Sequence, residues 1–136
     1  MIIYKNVDYG INAYRFSLFK LKFECVGEII WRPFDLVPSE CHLEIFRFHV
    51  VEEYREQGIG RKLMNKFIKQ FSKHKKLNEN YSYVLVQPQS FRDDEDGIEK
   101  VLELKNLYEI YEKLGFYFTE ENLDRTKPLH IMRYDL

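Results

Sequence analysis

The stretch EEYREQGIGRKLMNKFIKQF, residues 52 to 71, places Gly58 and Gly60 at the point where a polar run turns into a helical pattern, with Arg55, Arg61 and Lys62 around them. Glycine costs about 1 kcal/mol of helix propensity relative to alanine, so two of them at a helix start ask for a reason. A helix N-terminus leaves backbone amides without acceptors and its dipole favours an anion, while glycine lets an oxygen come close to those amides. The chemistry that suits this spacing is the binding of a phosphate or pyrophosphate. Two familiar phosphate loops are excluded. A P-loop puts Lys and then Ser or Thr directly after its last glycine, whereas Arg61 and Lys62 stand there. A dinucleotide fingerprint has a third glycine three residues on and leaves its strand at once. Leu63 occupies that position, and residues 52 to 57 intervene between strand and glycines.

The elements that must position this loop can be read on either side of it. Residues 42 to 51, HLEIFRFHVV, are β-rich and apolar on both faces, as a central strand is. After the glycines, Ile59, Leu63, Met64, Phe67, Ile68 and Phe71 form one helical stripe, with Lys62, Asn65, Lys66 and Lys69 opposite. The cluster from Lys73 to Lys76 falls where cations complement the helix C-terminus. Residues 81 to 89, YSYVLVQPQ, read as a second core strand ended by Pro88. Strand, helix, strand in this order implies a right-handed crossover and a parallel pair. Upstream, the alternation between Asn12 and Phe34 gives two strands in a hairpin, with a break where Pro33 and Pro38 withhold donors. Downstream, an acidic loop at residues 91 to 97 precedes an amphipathic helix over 98 to 114 closed by Gly115, then two terminal strands. No linker or repeat divides the chain, so residues 1–136 read as one α+β domain with a mixed sheet.

Arg55-Glu56-Gln57-Gly58-Ile59-Gly60 matches R/Q-x-x-G-x-G/A, and with it the sequence resembles the GNAT superfamily of acetyl-CoA-dependent N-acetyltransferases. The resemblance runs from Leu43 to Phe116: FRFHVVEEYREQGIGRKLM is similar to that family's strand, connector and pyrophosphate-binding helix, and LYEIYEKLGF to its second motif. It implies a mostly antiparallel central sheet with one parallel, splayed strand pair and helices on both faces. Members usually carry two helices between their first and second strands. Here no helical pair is legible before the central strand, so the resemblance implies a reduced N-terminal helical region.

The resemblance also implies roles. Acetyl-CoA is the co-substrate and no metal is required. The amides from Arg55 through Glu56, Gln57, Gly58, Ile59, Gly60 and Arg61 to Lys62 hold the coenzyme A pyrophosphate. The pantetheine arm pairs with backbone around Phe48 and Val50, and an amide near Val50 stabilises the oxyanion. Asn106 and Tyr111 lie on the second helix where similar proteins contact the coenzyme near its sulfur. An acceptor amine with pKa near 10.4 must lose a proton before it attacks. Counting back from Arg55 places Glu44 where some members carry that base. His42 shares its face because side chains alternate along a strand, while His49 has the opposite parity and reads as structural. Tyr111 falls where the family often supplies the acid for the departing thiolate, and it reads equally as a packed aromatic at helical spacing.

Composition bounds the partners. Lys+Arg 21 against Asp+Glu 22 gives no electrostatic footprint for nucleic acid or a membrane surface. Cys25 and Cys41 read as reduced, buried thiols, and the chain as a cytoplasmic monomer or homodimer with no membrane span. The acceptor is an amine on a small molecule or a protein, and the thin N-terminal half suits an open acceptor side or one completed by a second subunit. Asp93, Asp94, Glu95 and Asp96 read as a solvated loop or an attractor for a cationic acceptor. A non-catalytic acyl-CoA-binding module that recognises a protein partner is the alternative.

Overall fold

Alternation of apolar and polar residues across the first third of the chain produces a meander. In the computed structural model, which describes residues 1–34, 41–73, 81–89, 104–128 and 130–136, β1 (Ile2–Val7), β2 (Gly10–Ser17), β3 (Lys22–Phe34) and β4 (His42–Val50) follow one another. They are succeeded by α1 (Ile59–Lys73), β5 (Tyr83–Val86), α2 (Leu104–Lys113), β6 (Tyr117–Phe118) and β7 (Met132–Asp135). The seven strands make one sheet in the order β1-β2-β3-β4-β5-β7-β6. Only β4 and β5 run parallel; every other pair is antiparallel. Asp8 and Tyr9 turn β1 directly into β2, so no helix lies between the first two strands.

The register explains which residues look inward. Gly27 pairs with Val50, Ile29 with Phe48 and Ile30 with Arg47, but Trp31 pairs with Ile45, leaving Phe46 as a bulged residue. Because side chains alternate, the bulge inverts the parity of β4: Leu43 and Ile45 face the core before it, Phe48 and Val50 after it. The opposite face then carries Glu44 together with Arg47, across from Arg32 and Glu28 of β3. On the core face α1 lies over β2, β3 and β4. Leu63, Met64 and Phe67 are fully buried there, and Trp31 stacks on Phe67 at 4.8 Å and meets Phe71 edge-on at 5.4 Å.

The parallel pair explains an opening. β4 and β5 are bonded only from His42 and Tyr83 to Ile45 and Val86. Beyond that point β4 continues to Val50, whereas β5 runs into Pro88, which has no N–H to give. The two strands therefore part.

α2 ends on a Schellman motif. The amide of Phe116 donates to Tyr111 O at 3.0 Å and that of Gly115 to Glu112 O at 3.0 Å. Gly115 takes φ +102, and a Cβ there would lie 2.9 Å from Tyr134 Cε2. Gly115→Ala is expected to cost about 2 kcal/mol in urea denaturation, combining the left-handed backbone penalty with the clash.

Three sequence readings change. Pro33 lies inside β3, paired with Leu43; pairing with β2 has ended at Ile30, so that side of the strand asks for no donor. The strand expected over residues 81 to 89 is only Tyr83–Val86. Cys41 is a buried thiol outside any disulfide, as expected, but Cys25 is exposed, at the parity that turns away from the core. Asp93 to Glu95 and Asp96, His74 to Lys76, and the start of the second helix lie outside the described residues.

Candidate active site

Two clefts meet where β4 leaves β5. The first, of about 640 Å³, lies between the C-terminal end of β4, the start of α1 and one side of α2. Phe48, Val50, Arg55, Glu56, Gly58, Ile59, Gly60, Arg61 and Asn106, all read from the sequence as donor-binding residues, line it. Gln57 and Lys62 do not. Gln57 Nε2 donates to Glu53 O at 3.4 Å, and Lys62 Nζ sits over the Tyr4 ring, 5.3 Å from its centroid. The Lys62 amide is also committed, donating to Gly58 O at 3.0 Å as the first helical bond of α1.

That bond leaves the amides of Ile59, Gly60 and Arg61 without intrahelical acceptors, pointing out of the helix start. Glu56 at φ 63 and Gly58 at φ 82 both adopt left-handed backbone, which curls the loop so that its amides converge, as in an anion-binding nest. Arg55 braces this loop, because its Nε donates to Val50 O at 2.8 Å and ties the loop to the end of β4. The strand itself offers donors. Val51 N donates to Val26 O at 2.9 Å on the β3 side, so by alternation the amides of Val50 and Phe48 point to the edge that β5 has abandoned. A side chain larger than alanine at Gly60 would intrude here, since a Cβ would already rest in contact, 3.4 Å from Phe48 Cζ.

The second cleft, of about 620 Å³, is lined by Arg32, Phe34, Glu44, Phe46, Arg47, Gln87, Gln89 and Ile131 among others. Phe48 and Tyr111 line both clefts. Glu44 Oε1 lies 3.2 Å from His42 Nε2, so the structure brings together the two residues that parity put on one face. The His42 ring is held between Phe34 and Tyr83, stacked at 5.2 and 5.0 Å. Tyr111 is 4% exposed, packed edge-on against Phe48 at 5.8 Å and Phe116 at 5.5 Å. Burial pushes its phenol well above the ordinary value, so the group keeps its proton and is not suited to take one.

The residues that sequence reading missed come from neighbouring elements. Leu107 and Ile110 of α2 wall the first cleft, and the spacing of four from Leu107 to Tyr111 and from Asn106 to Ile110 is the signal that would have found them. Arg32, Phe46 and Gln87 belong to the second. Their placement depends on strand register, which no local pattern encodes. Among the described residues no group of His, Cys, Asp and Glu is arranged to hold a metal, and no helix is long and apolar enough to cross a membrane.

Against known proteins, the sequence model of the acetyltransferase (GNAT) domain matches residues 16–117. No curated protein sequence matches. Among solved structures, Naa50 of Arabidopsis thaliana in complex with the bisubstrate analogue CoA-Ac-MVNAL is 22% identical with TM-score 0.59, covering 94% of this chain and 73% of that one. NAA60 of the same plant with a bisubstrate analogue gives 14% identity and TM-score 0.63, covering 93% and 74%. The Bacillus subtilis N-acetyltransferase YlbP with coenzyme A gives 13% and TM-score 0.57, covering 94% and 68%. At these identities the likeness is one of fold.

Proposed function

The chain belongs to the GNAT acetyltransferase family, and from that premise we propose that it is an acetyl-CoA-dependent N-acetyltransferase acting on a primary amine. The amine is carried by a small molecule or by a peptide or protein, as a lysine or an N-terminus, and it attacks directly in a ternary complex. The observation that carries this reading is the junction of the two clefts. A donor held along β4 and an acceptor lying on Glu44 would meet at Phe48 and Tyr111.

The residues present fit the coenzyme. The converging amides of Ile59, Gly60 and Arg61 suit a pyrophosphate, and the outward amides of Phe48 and Val50 suit the amide carbonyls of a pantetheine arm and the thioester oxygen. Glu44 is positioned to take the proton from the amine, and Tyr111 to give one to the sulfur as the thiolate leaves. Naa50 is solved with the bisubstrate analogue CoA-Ac-MVNAL, which is consistent with a peptide among the acceptors.

Release of free thiol from acetyl-CoA in the presence of a panel of amines tests the reading, and at least one amine is expected to give turnover. Glu44→Gln is expected to lower kcat/KM by about tenfold to a hundredfold, with His42 taking over part of the proton transfer, while acetyl-CoA affinity stays unchanged. Tight acetyl-CoA binding without thiol release for any amine would leave a non-catalytic acyl-CoA-binding module in its place.

A further inference from the structure

The wall that carries Glu44 also carries two arginines, and they are not equivalent. Arg47 is neutralised, its Nε 2.7 Å from Glu28 Oε1. Arg32 stands directly across from Glu44 in the β3–β4 register, where opposite charges ordinarily pair. It does not pair. Glu44 turns to His42, and the Arg32 guanidinium lies over the Phe46 ring, 4.0 Å from its centroid. Among the described residues Arg32 has no carboxylate partner.

The stack has a cause in the backbone. Phe46 is the bulged residue of β4 and is 56% exposed, so its ring is displaced onto the cleft surface where an arginine can rest on it. A guanidinium stacked on an aromatic keeps its N–H donors at its rim, in the plane that a carboxylate meets with two parallel bonds. Glu44 and Arg32 thus present an anion and a cation side by side on one wall. Gln87 and Gln89 add only neutral polar groups to the lining.

We propose that the acceptor carries a carboxylate close to its reactive amine, and that Arg32 is the specificity-determining residue that holds it. The inference rests on the acetyltransferase reading and narrows its acceptor. The amine approaches Glu44 while the carboxylate docks on the Arg32 rim, so the acceptor spans the pair that the fold keeps apart. The carboxylate has two sources of the same chemistry: an acidic side chain next to a peptide N-terminus, or the carboxylate of a free amino acid. A lysine at the same place meets Arg32 with like charge and is rejected.

Initial rates at saturating acetyl-CoA separate these cases. Three short peptides differing only at the second residue, Glu, Gln or Lys, are compared, alongside free alanine and alaninamide. The carboxylate-bearing member of at least one set is expected to show kcat/KM roughly tenfold above its neutral counterpart, with the Lys peptide the poorest of the peptides. Arg32→Gln removes that difference. Arg32→Glu reverses it, making the Lys peptide the best, a gain that an unfolded variant cannot show. Equal use of charged and neutral acceptors by the unaltered protein, or an acid preference that survives Arg32→Glu, overturns the inference and leaves the transferase reading standing. No turnover with any acceptor, here or in the wider amine panel, overturns both.

Discussion

Gly60→Val is expected to weaken acetyl-CoA binding by roughly a thousandfold, with a much smaller effect on stability. On the proposed reading the loop offers a pyrophosphate charge-assisted hydrogen bonds, each worth about 1.5–3 kcal/mol, and losing two of them gives that magnitude. A Cβ at Gly60 would rest at ordinary contact distance, 3.4 Å from Phe48 Cζ and 3.6 Å from Val50 Cγ2. Alanine therefore fits, but the γ carbons of valine must push into Phe48 or into the cleft, and either closes the gap that the coenzyme needs. Gly58 behaves in the opposite sense. Nothing lies within 4 Å of a Cβ there, but φ is +82, so Gly58→Ala loses about 1–2 kcal/mol of stability by backbone strain and less affinity. Titration calorimetry with acetyl-CoA alongside urea denaturation distinguishes the two. Wild-type affinity in Gly60→Val would mean that the coenzyme does not use this loop.

Tyr111→Phe is expected to lower kcat by about a thousandfold, within the range that a positioned acid contributes, while leaving the fold at least as stable. The ring packing on Phe48 and Phe116 survives the change. The hydroxyl makes no hydrogen bond to any described residue, so its removal breaks none. A group kept only for packing would show unchanged stability without the loss in rate. Because burial raises the phenol's pKa, kcat is also expected to show no alkaline decline from this group below the ordinary phenol value of about 10. Rate against pH and thermal melts of the two proteins check both halves.

What the sequence made legible was local. The glycines, the stripe from Ile59 to Phe67 and the closure of α2 at Gly115 are patterns within one or two turns of chain, and the structure has them where the periodicities place them. The parallel pair followed from element order. What was not legible depends on register. The bulge at Phe46 inverts the parity of β4, and nothing in HLEIFRFHV marks one residue as extra, since apolar residues occupy both faces. Without the bulge Arg47 would share the core face with Ile45; with it, Arg47 joins Glu44 on the wall of the second cleft, and Arg32 comes to rest on Phe46. Side-chain direction was equally hidden. The resemblance assigns Lys62 to the coenzyme through its amide, while its side chain lies on the side of α1 that faces Tyr4, and Arg55 serves the backbone of Val50. Local sequence thus located the loop that suits a donor, and tertiary register built the wall that faces it.

Transfer of acetyl to an amine is tested most directly by the intact mass of the acceptor after incubation with isotopically labelled acetyl-CoA and the purified chain. The acceptor is expected to gain one labelled acetyl group, at its amine, in step with the thiol released. Thiol release with the acceptor mass unchanged, or binding of acetyl-CoA with neither, would contradict that transfer.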